Sequence, residues 1–361
     1  MIRFFTEWYK RYFSDPQAVL LAVMLIIGFT IIIYMGGMLA PVIAAIVIAY
    51  LLEGSVQYLT RLHIPRIIAV TTVFLLFLTF TLLVFLGLLP LVSRQLTDLV
   101  QQLPTLINDG QQLLLQLPEK YPLVVSEEQI WDFLQVVRSG ISELGQTVFS
   151  ISLASIPRLI TVLVYLVLGP VLVFFFLKDK RLVMNWFSGI LPEERPLLDK
   201  VWEEMDGQIG NYVRGKFYEI IMVGSVTFIV FSIMGLKYAV LLSALVAVSV
   251  IIPYIGATVA TIPVAIAAYV QFGWGADFGW IILAYAIIQA LDGNLLVPLL
   301  FSEAVNLHPI AIIVAVLVFG GLWGFWGVFF AIPLATLVNA LISAWPRGKG
   351  KFYVNTEAKE S

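Results

Sequence analysis

The sequence has no cysteine and only two histidines, His63 and His308. Without cysteine the chain can form neither disulfides nor metal sites built on thiolates. Two histidines are too few for a multi-histidine metal site within one chain. We therefore expect no bound metal and no cofactor. The formal net charge of −2 points to no particular partner, and we expect no nucleic acid ligand.

Sequence signatures of enzymes are also missing. The chain contains no phosphate-binding G-x-x-x-x-G-K-[ST], no G-x-S-x-G nucleophile elbow and no H-E-x-x-H zinc motif. This excludes an ATP-driven pump as far as this chain alone is concerned. We expect a protein that is not an enzyme and has no catalytic residues.

Charged residues are scarce, whereas apolar residues are abundant. Only 12% of the 361 residues are charged and 60% are apolar, whereas soluble domains carry about 25% charged residues. Because this apolar surface exceeds what one soluble core can bury, the composition predicts an all-α polytopic membrane protein. A spanning helix needs about 20 apolar residues. Such runs lie at 18–38, 40–60, 67–92, 156–177, 217–236 and 279–300.

Two further apolar runs, 238–271 and 308–343, are too long for a single crossing. As one straight helix, each would reach about 50 Å, against an apolar bilayer core of about 30 Å. Each is interrupted near its middle, by "IIPYIGATVATIP" and by "FGGLWGFWG" respectively. We predict two broken or re-entrant elements. The chain then has six spans if both re-enter and eight if both cross, and we favour re-entry.

Several residues in these two interruptions are candidates for helix breaks or gates. Proline has no N–H to donate, so it frees a carbonyl one turn earlier, and glycine permits irregular backbone. Two glycines four residues apart also allow close helix packing. The candidates are Pro253, Gly256, Thr258, Pro263, Gly320 and Gly324.

The distribution of Lys and Arg predicts the orientation, because these residues are enriched in cytoplasmic loops. Seven of them lie in 178–216, whereas 93–155 has three against seven acidic residues. We therefore expect 93–155 outside and both termini in the cytoplasm. The predicted organisation is a three-span region 1–92, an extracytoplasmic segment 93–155, a fourth span 156–177, a cytoplasmic helical connector 178–216, a membrane core 217–345 and a cytoplasmic tail 346–361.

The predicted outer segment has apolar residues at helical spacing in "RQLTDLVQQL", and "SEEQIWDFLQVVRSGISEL" starts a second amphipathic helix at Ser126. We expect the first helix to break at Pro104, with further breaks at Pro118 and Pro122. The segment is either an interfacial or oligomer-forming collar, or a small cap packed on itself.

The stretch "IIQALDGNLLVPLLF" places Asp292 inside an apolar run, where ionisable groups are costly and mark functional sites. Gln289 shares its helical face, whereas Asn294 would point about 200° away on a continuous helix. Both amides can face one cavity only if the backbone is distorted near Gly293, and Pro298 frees the carbonyl of Asn294. We predict a substrate or ion site in a discontinuous helix. The alternative is a helix end that lies in water.

Other charged residues have simpler interpretations. Glu219 follows Lys216 by three positions, which predicts an intrahelical ion pair at the membrane boundary. Glu303 lies in a predicted loop with Asn306 and His308, where solvation explains it. We keep His308 as a candidate gate residue.

Five segments together resemble the autoinducer-2 exporter family of bacterial permeases, most closely its PerM-like branch. They are "NYVRGKF" (211–217), "IPYIGA" (252–257), "LDGNLLVP" (291–298), "NLHPIAI" (306–312) and "GGLWGFWGVFFAIPLA" (320–335). The resemblance implies an oligomeric transporter of the bacterial inner membrane. Members of the family have been linked to export of autoinducer-2 and, in other cases, to sodium–proton antiport.

Three functions are compatible with these features. The first is a secondary transporter for a small hydrophilic solute or signalling molecule, coupled to an ion gradient. The second is a passive oligomeric channel, and the third is a scaffold or partner for envelope proteins without transport. The expected partners are membrane lipid, the transported molecule or ion, and further copies of the chain.

Overall fold

A computed structural model describes residues 16–115, 131–132, 135, 139, 156–192, 195–253, 255–301 and 307–344. Every regular element in these ranges is a helix. Among the described residues, six helices are long and apolar enough to cross a membrane. They are Tyr34–Arg61, Arg66–Gln102, Val201–Ile233, Ile255–Phe272, Ala276–Phe301 and Pro309–Phe329. The predicted all-α membrane fold is confirmed.

The helices are numbered in chain order, and two short π-helical turns lie between them. The elements are α1 (Pro16–Arg61), α2 (Arg66–Leu83), a π turn (Val84–Leu88), α3 (Leu89–Leu115), α4 (Ile156–Lys178), α5 (Lys180–Ile190), α6 (Pro196–Ile233), α7 (Ala239–Ser249), α8 (Ile255–Phe272), α9 (Ala276–Leu291), a second π turn (Asp292–Leu296), α10 (Val297–Phe301), α11 (Pro309–Phe329) and α12 (Ala331–Ala344).

Helix α1 corrects the prediction of separate spans at 18–38 and 40–60. It is one helix of 46 residues with Pro41 inside it, because the loss of one backbone hydrogen bond at proline does not always end a helix. At 1.5 Å per residue its length is about 69 Å. The placement of the N-terminus and the 61–66 turn on the same side of the membrane stays a prediction.

Helix α3 continues through Pro104 to Leu115, so the break predicted at Pro104 is also wrong. Pro118, Pro122 and Ser126 lie outside the described residues. Helix α3 packs on the membrane core: the side-chain oxygen of Gln95 accepts from the backbone N–H of Leu241 at 2.9 Å. This N–H is one of the unpaired donors at the start of α7, so Gln95 caps that helix.

The chain divides into two compact units. The described residues of the first unit fall within Met1–Ala40, Asp179–Tyr212 and Phe301–Ser361. In its hydrophobic core, Leu198, Val201 and Met205 of α6 pack with Ala340 of α12. The aromatic rings of Phe29 and Phe319 stack nearby with centroids 6.3 Å apart.

The second unit comprises Pro41–Lys178 and Val213–Leu300, and it has two cores. One core joins α1, α2 and α4 through small and β-branched residues: Ala45, Ala49, Val56, Ala69, Val70, Val73 and Val173. The other joins α6, α7, α8 and α9, and its most buried members include Phe231, Leu242, Val246, Val264 and Ile281. Small side chains at these contacts allow the helix backbones to approach closely.

A salt bridge fixes one end of the first of these cores. The Arg66 guanidinium donates to both carboxylate oxygens of Glu53 at 3.1 Å and to the backbone oxygen of Leu177 at 3.1 Å. Arginine suits this role because its planar fork matches a carboxylate. The pair joins the end of α1, the start of α2 and the end of α4. The 61–66 turn and Lys178 therefore lie at the same end of this unit.

Helices α7 and α8 form a hairpin whose two ends lie side by side. The side chain of Gln271, near the end of α8, accepts from the backbone N–H of Lys237 at 2.6 Å and donates to the oxygen of Gly235 at 2.7 Å. The two ends of the 238–271 run therefore meet. Helix α7 has 11 residues and a length of about 16 Å, roughly half of the bilayer core. The 238–271 run is therefore a hairpin, and its re-entry into the membrane stays a prediction.

The described part of the hairpin tip, residues 250–253, contains Pro253, one of the predicted break residues. Gly256 is buried directly against the backbone of Ser249, where any Cβ atom would overlap the carbonyl group. Glycine is therefore required for the close approach of the two arms. Pro263 does not interrupt the helix, because α8 continues through it.

The 308–343 run also folds back on itself. Gly324 has φ 59° and ψ −136°, which interrupts α11. Gly327 then lies against the backbone of Phe319, and Gly320 against the side chain of Val328. In a straight helix residues 319 and 327 would be about 12 Å apart along the axis. The chain reverses at Gly324, within the segment where the break was predicted.

Candidate functional site

The backbone around Asp292 departs from α-helical geometry. Helix α9 ends at Leu291, and the π turn Asp292–Leu296, which includes Gly293, leads into α10. The backbone N–H of Val297 donates to the oxygen of Asp292, which is the i to i−5 pattern of a π-helix. Distortions of this type inside helices are frequent at functional sites. The distortion lies at the position predicted from the sequence.

Asp292 and Gln289 each present a buried polar atom without a hydrogen-bond partner. These atoms are Oδ1 of Asp292 and Nε2 of Gln289. The two residues are three positions apart on α9 and the turn that follows, so they share one helical face. A buried unpaired donor or acceptor costs about 1–3 kcal/mol. Together they offer an unpaired acceptor and an unpaired donor to a small polar ligand.

Asn294 and Pro298 are not part of this pair. Asn294 is exposed, and its side-chain amide donates to the backbone oxygen of Ala290 at 2.9 Å, one turn earlier on its own helix. Pro298 is exposed in α10 and has no N–H to donate to the preceding turn. Both residues belong to the distorted backbone, whereas Gln289 and Asp292 carry the buried polar atoms. A binding role for any of them stays a prediction.

The sequence analysis missed the importance of Lys216 and Glu219. The predicted intrahelical pair is present, with Lys216 Nζ 2.7 Å from Glu219 Oε2. However, the two side chains are only 5% and 2% exposed, so the pair is not at a solvated boundary. Burial of both charges is expensive. The sequence signal that points to it is two charges one turn apart at the start of a long uncharged run.

Lys216 also connects α6 with the tip of the hairpin. Its Nζ atom donates to the backbone oxygen of Val250 at 2.7 Å. Val250 is the residue at which α7 ends, and the last carbonyls of a helix have no intrahelical donor. The ammonium group therefore binds one side chain on its own helix and one backbone carbonyl at a break in another element.

Asp292 belongs to the same compact unit as Lys216 and Glu219. We call these three charged residues the Lys216–Glu219–Asp292 cluster. They are carried by α6 and by the π turn, whose Leu296 packs against the core formed by α6, α7, α8 and α9. With all three groups ionised, one positive and two negative charges give a net charge of −1. A surplus negative charge in a low-dielectric region favours a small cation or a proton.

The start of α8 is fixed to α9 close to this cluster. The Tyr285 hydroxyl donates to the backbone oxygen of Ala257 at 2.9 Å, and the Thr261 hydroxyl donates to the same oxygen at 2.8 Å. Thr258 is exposed on the opposite side of this turn. The arm of the hairpin that follows the tip is therefore anchored, whereas the tip itself is held from α6.

The remaining candidate gate residues, His308, Gly320 and Gly324, belong to the first unit. His308 is the N-cap of α11, and its side chain accepts from the backbone N–H of Ile310 at 3.3 Å. A capping role explains this histidine, with Pro309 at the first helical position. Among the described residues, no group of three His, Asp or Glu side chains is arranged to hold a metal ion.

Comparison with known proteins agrees with the resemblance seen in the sequence. The family model described as AI-2E family transporter matches residues 20–347. The chain is 48% identical over 349 residues to a protein of Escherichia coli (strain K12) that carries the name permease PerM, with 97% of this chain and 99% of that protein covered. It is 27% identical over 315 residues to the Bacillus subtilis (strain 168) protein named as transport protein YueF, with 86% and 84% covered.

A more distant relative extends the comparison. The chain is 21% identical over 329 residues to a Thermotoga maritima protein named as a transport protein, with 91% of this chain and 94% of that protein covered. The similarity to these relatives covers most of each chain. The matched range 20–347 contains the hairpin α7–α8, the reversal at Gly324 and the Lys216–Glu219–Asp292 cluster.

Proposed function

The chain belongs to the AI-2E transporter family, and on that premise we propose that it is a secondary transporter that carries a small hydrophilic solute or signalling molecule across the bacterial inner membrane. The family is one of transporters and not of enzymes, and the helices make the chain a multi-pass membrane protein. The single observation that carries the proposal is the Lys216–Glu219–Asp292 cluster, a buried ion pair and a partly buried carboxylate in the unit that contains the hairpin tip and the π turn.

Interrupted helices supply what a transport site needs inside a membrane. Backbone that is not helical is tolerated at membrane depth only where protein surrounds it or where it lines a polar cavity. The hairpin tip and the π turn are two such places: Lys216 contacts the backbone of the first, and Asp292 lies in the second. Secondary transporters bind their substrates and coupling ions at broken helices of this kind. The unpaired atoms of Gln289 and Asp292 would contact the transported molecule.

The charge of the cluster supports coupling to a cation. Two carboxylates face one ammonium group, so a proton or a small monovalent cation restores neutrality when it binds. Alternating access then requires a part that moves. The hairpin α7–α8 is suited to this role because its tip is held by polar contacts, whereas its base is closed by Gln271. We propose that His308, Gly320 and Gly324 are helix-break or gate residues of the second interrupted run, 308–343.

The orientation and the assembly are part of the proposal. Arg61 and Lys178 lie near the same end of the second unit, and their charge favours the cytoplasmic side for that end. The cytoplasmic placement of both termini stays a prediction from charge. The formation of homo-oligomers is proposed from the family resemblance.

Flux measurements test this function. Purified protein in liposomes should drive uptake of radiolabelled sodium, or movement of protons reported by a pH-sensitive dye, only when an opposing gradient or a solute extract is supplied. The flux should saturate, and planar bilayers should show no unitary currents. Unitary currents would instead identify a channel. Absence of both flux and current, with a phenotype that depends on residues 93–155, would identify a scaffold.

A further inference from the structure

The tip of the re-entrant hairpin depends on a side chain from another helix. We propose that Lys216 is a positioning residue that fastens the tip of α7–α8 to α6 and releases it when Glu219 loses its negative charge. This inference rests on the proposed transport function for its role in a cycle, but the movement itself does not.

The contacts at the tip show why Lys216 is needed. The carbonyls of Val248, Ser249 and Ile252 accept hydrogen bonds from backbone N–H groups within or beside the tip, at 2.9–3.2 Å. The carbonyl of Val250, by contrast, accepts from Lys216 Nζ at 2.7 Å. This is a charge-assisted bond between elements that are 34 residues apart in the sequence. Bonds of this type are about twice as strong as neutral ones.

The charges around Lys216 make this bond conditional. The ammonium group is held in place by Glu219 Oε2 at 2.7 Å. As long as Glu219 is charged, the ammonium stays beside Val250. When a proton or a cation neutralises Glu219, the buried ammonium loses its counter-charge, and an uncompensated buried charge is costly. The ammonium then leaves this position, and the Val250 carbonyl is released.

The arrangement predicts opposite effects for the two carboxylates. Glu219→Gln should loosen the tip, because it removes the charge that holds Lys216 beside Val250. Asp292→Asn should leave the tip fastened, because the bonds of Lys216 to Glu219 and Val250 do not involve Asp292. Lys216→Arg keeps the charge and the donors and should keep the tip in place. Lys216→Met with Glu219→Gln removes the donor and both charges of the pair, so it should release the tip without leaving Glu219 unpaired.

The absence of cysteine in the natural chain makes the movement measurable. Cysteines introduced at Ile255, beside the tip, and at Ile233, at the end of α6, can carry spin labels. Double electron–electron resonance in proteoliposomes would then measure the distance between the two labels and so report the position of the tip. Both residues are exposed, at 44% and 81%. A pair at Tyr218 and Ile233 serves as a ruler, because both lie on the continuous helix α6.

We expect Glu219→Gln and the Lys216→Met/Glu219→Gln double variant to shift and broaden the 255–233 distance distribution. Loss of a charge-assisted bond corresponds to a change of roughly tenfold or more in the ratio of fastened to released tip. Asp292→Asn, Lys216→Arg and the 218–233 ruler should show the parent distribution. An unchanged 255–233 distribution in the double variant would overturn the inference, as would an equal shift in Asp292→Asn.

Transport assays separate this inference from the proposed function. Glu219→Gln should lower the maximal flux more than it changes the half-saturating concentration of the driving cation, and Lys216→Arg should lower the flux less than the Lys216→Met/Glu219→Gln double variant does. If the parent protein carries no flux but Glu219→Gln still displaces the tip, the proposed function fails and the role of Lys216 stands. If flux is present and the tip never moves, the role of Lys216 fails and the proposed function stands.

Discussion

Lys216 Nζ lies 2.7 Å from Glu219 Oε2, and both side chains are buried within the second unit. Two opposite charges one helical turn apart are common on exposed helix surfaces, where they contribute only tenths of a kcal/mol. Here the pair is away from water and is joined to the hairpin tip. We therefore expect its loss to affect the stability of the protein as well as the proposed transport.

Lys216→Met should destabilise the protein strongly, because it leaves the buried Glu219 carboxylate without the cation that now lies 2.7 Å from it. Removal of one partner of a buried pair costs about 3–5 kcal/mol. Addition of Glu219→Gln should recover a large part of that loss, since two neutral groups of similar size replace the pair. Thermal unfolding of the detergent-purified variants measures the difference. A single variant that unfolds at the temperature of the double variant would contradict a buried charged pair.

Gly256→Ala should disrupt the hairpin, because the added Cβ atom would overlap the carbonyl of Ser249. Overpacking of this type costs about 1–3 kcal/mol when the backbone has to shift. Gly293→Ala is the matched control, since no atom lies within 4 Å of its Cβ position. Alanine there should be neutral or stabilise the helix by about 0.5–1 kcal/mol. Equal unfolding temperatures for the two variants would show that the close approach at Ser249 is not required.

Gly324→Ala should strain the backbone at the point where the 308–343 run reverses its direction. At φ 59° and ψ −136° the backbone is in a region that is essentially restricted to glycine, and a side chain there costs about 1–3 kcal/mol. Gly321→Ala lies in the same helix with open space around its Cβ position and should be tolerated. Comparison of expression level and unfolding temperature tests this. An unaffected Gly324→Ala protein would mean that the chain does not reverse at this residue.

The positions of the breaks could be predicted from the sequence, because proline and glycine inside long apolar runs favour an interruption of the helix. Pro253 lies in the hairpin tip, Gly324 lies at the second reversal, and the distortion begins at Asp292 beside Gly293. In contrast, Pro41 and Pro263 lie inside continuous helices. A single proline can be accommodated or can end a helix, and the outcome depends on packing that the local sequence does not contain.

Only some residues of the proposed site can be predicted from the sequence. The spacing of Gln289 and Asp292 predicts that they share one helical face. For Lys216 and Glu219 the sequence predicts only a local pair, since the spacing of three residues accounts for their contact without any other element. The bond from Lys216 to Val250 depends on the tertiary arrangement of α6 and the hairpin. No periodicity in either segment predicts it.

The central claim is that Asp292 belongs to the transport site, and flux through Asp292→Asn protein tests it most directly. Asp277→Asn is the control, because Asp277 is an exposed carboxylate in the first turn of the same helix. At equal amounts of folded protein in liposomes, Asp292→Asn should reduce gradient-driven flux at least about tenfold, and Asp277→Asn should leave it near the parent rate. Equal flux in the parent and in Asp292→Asn would contradict the claim.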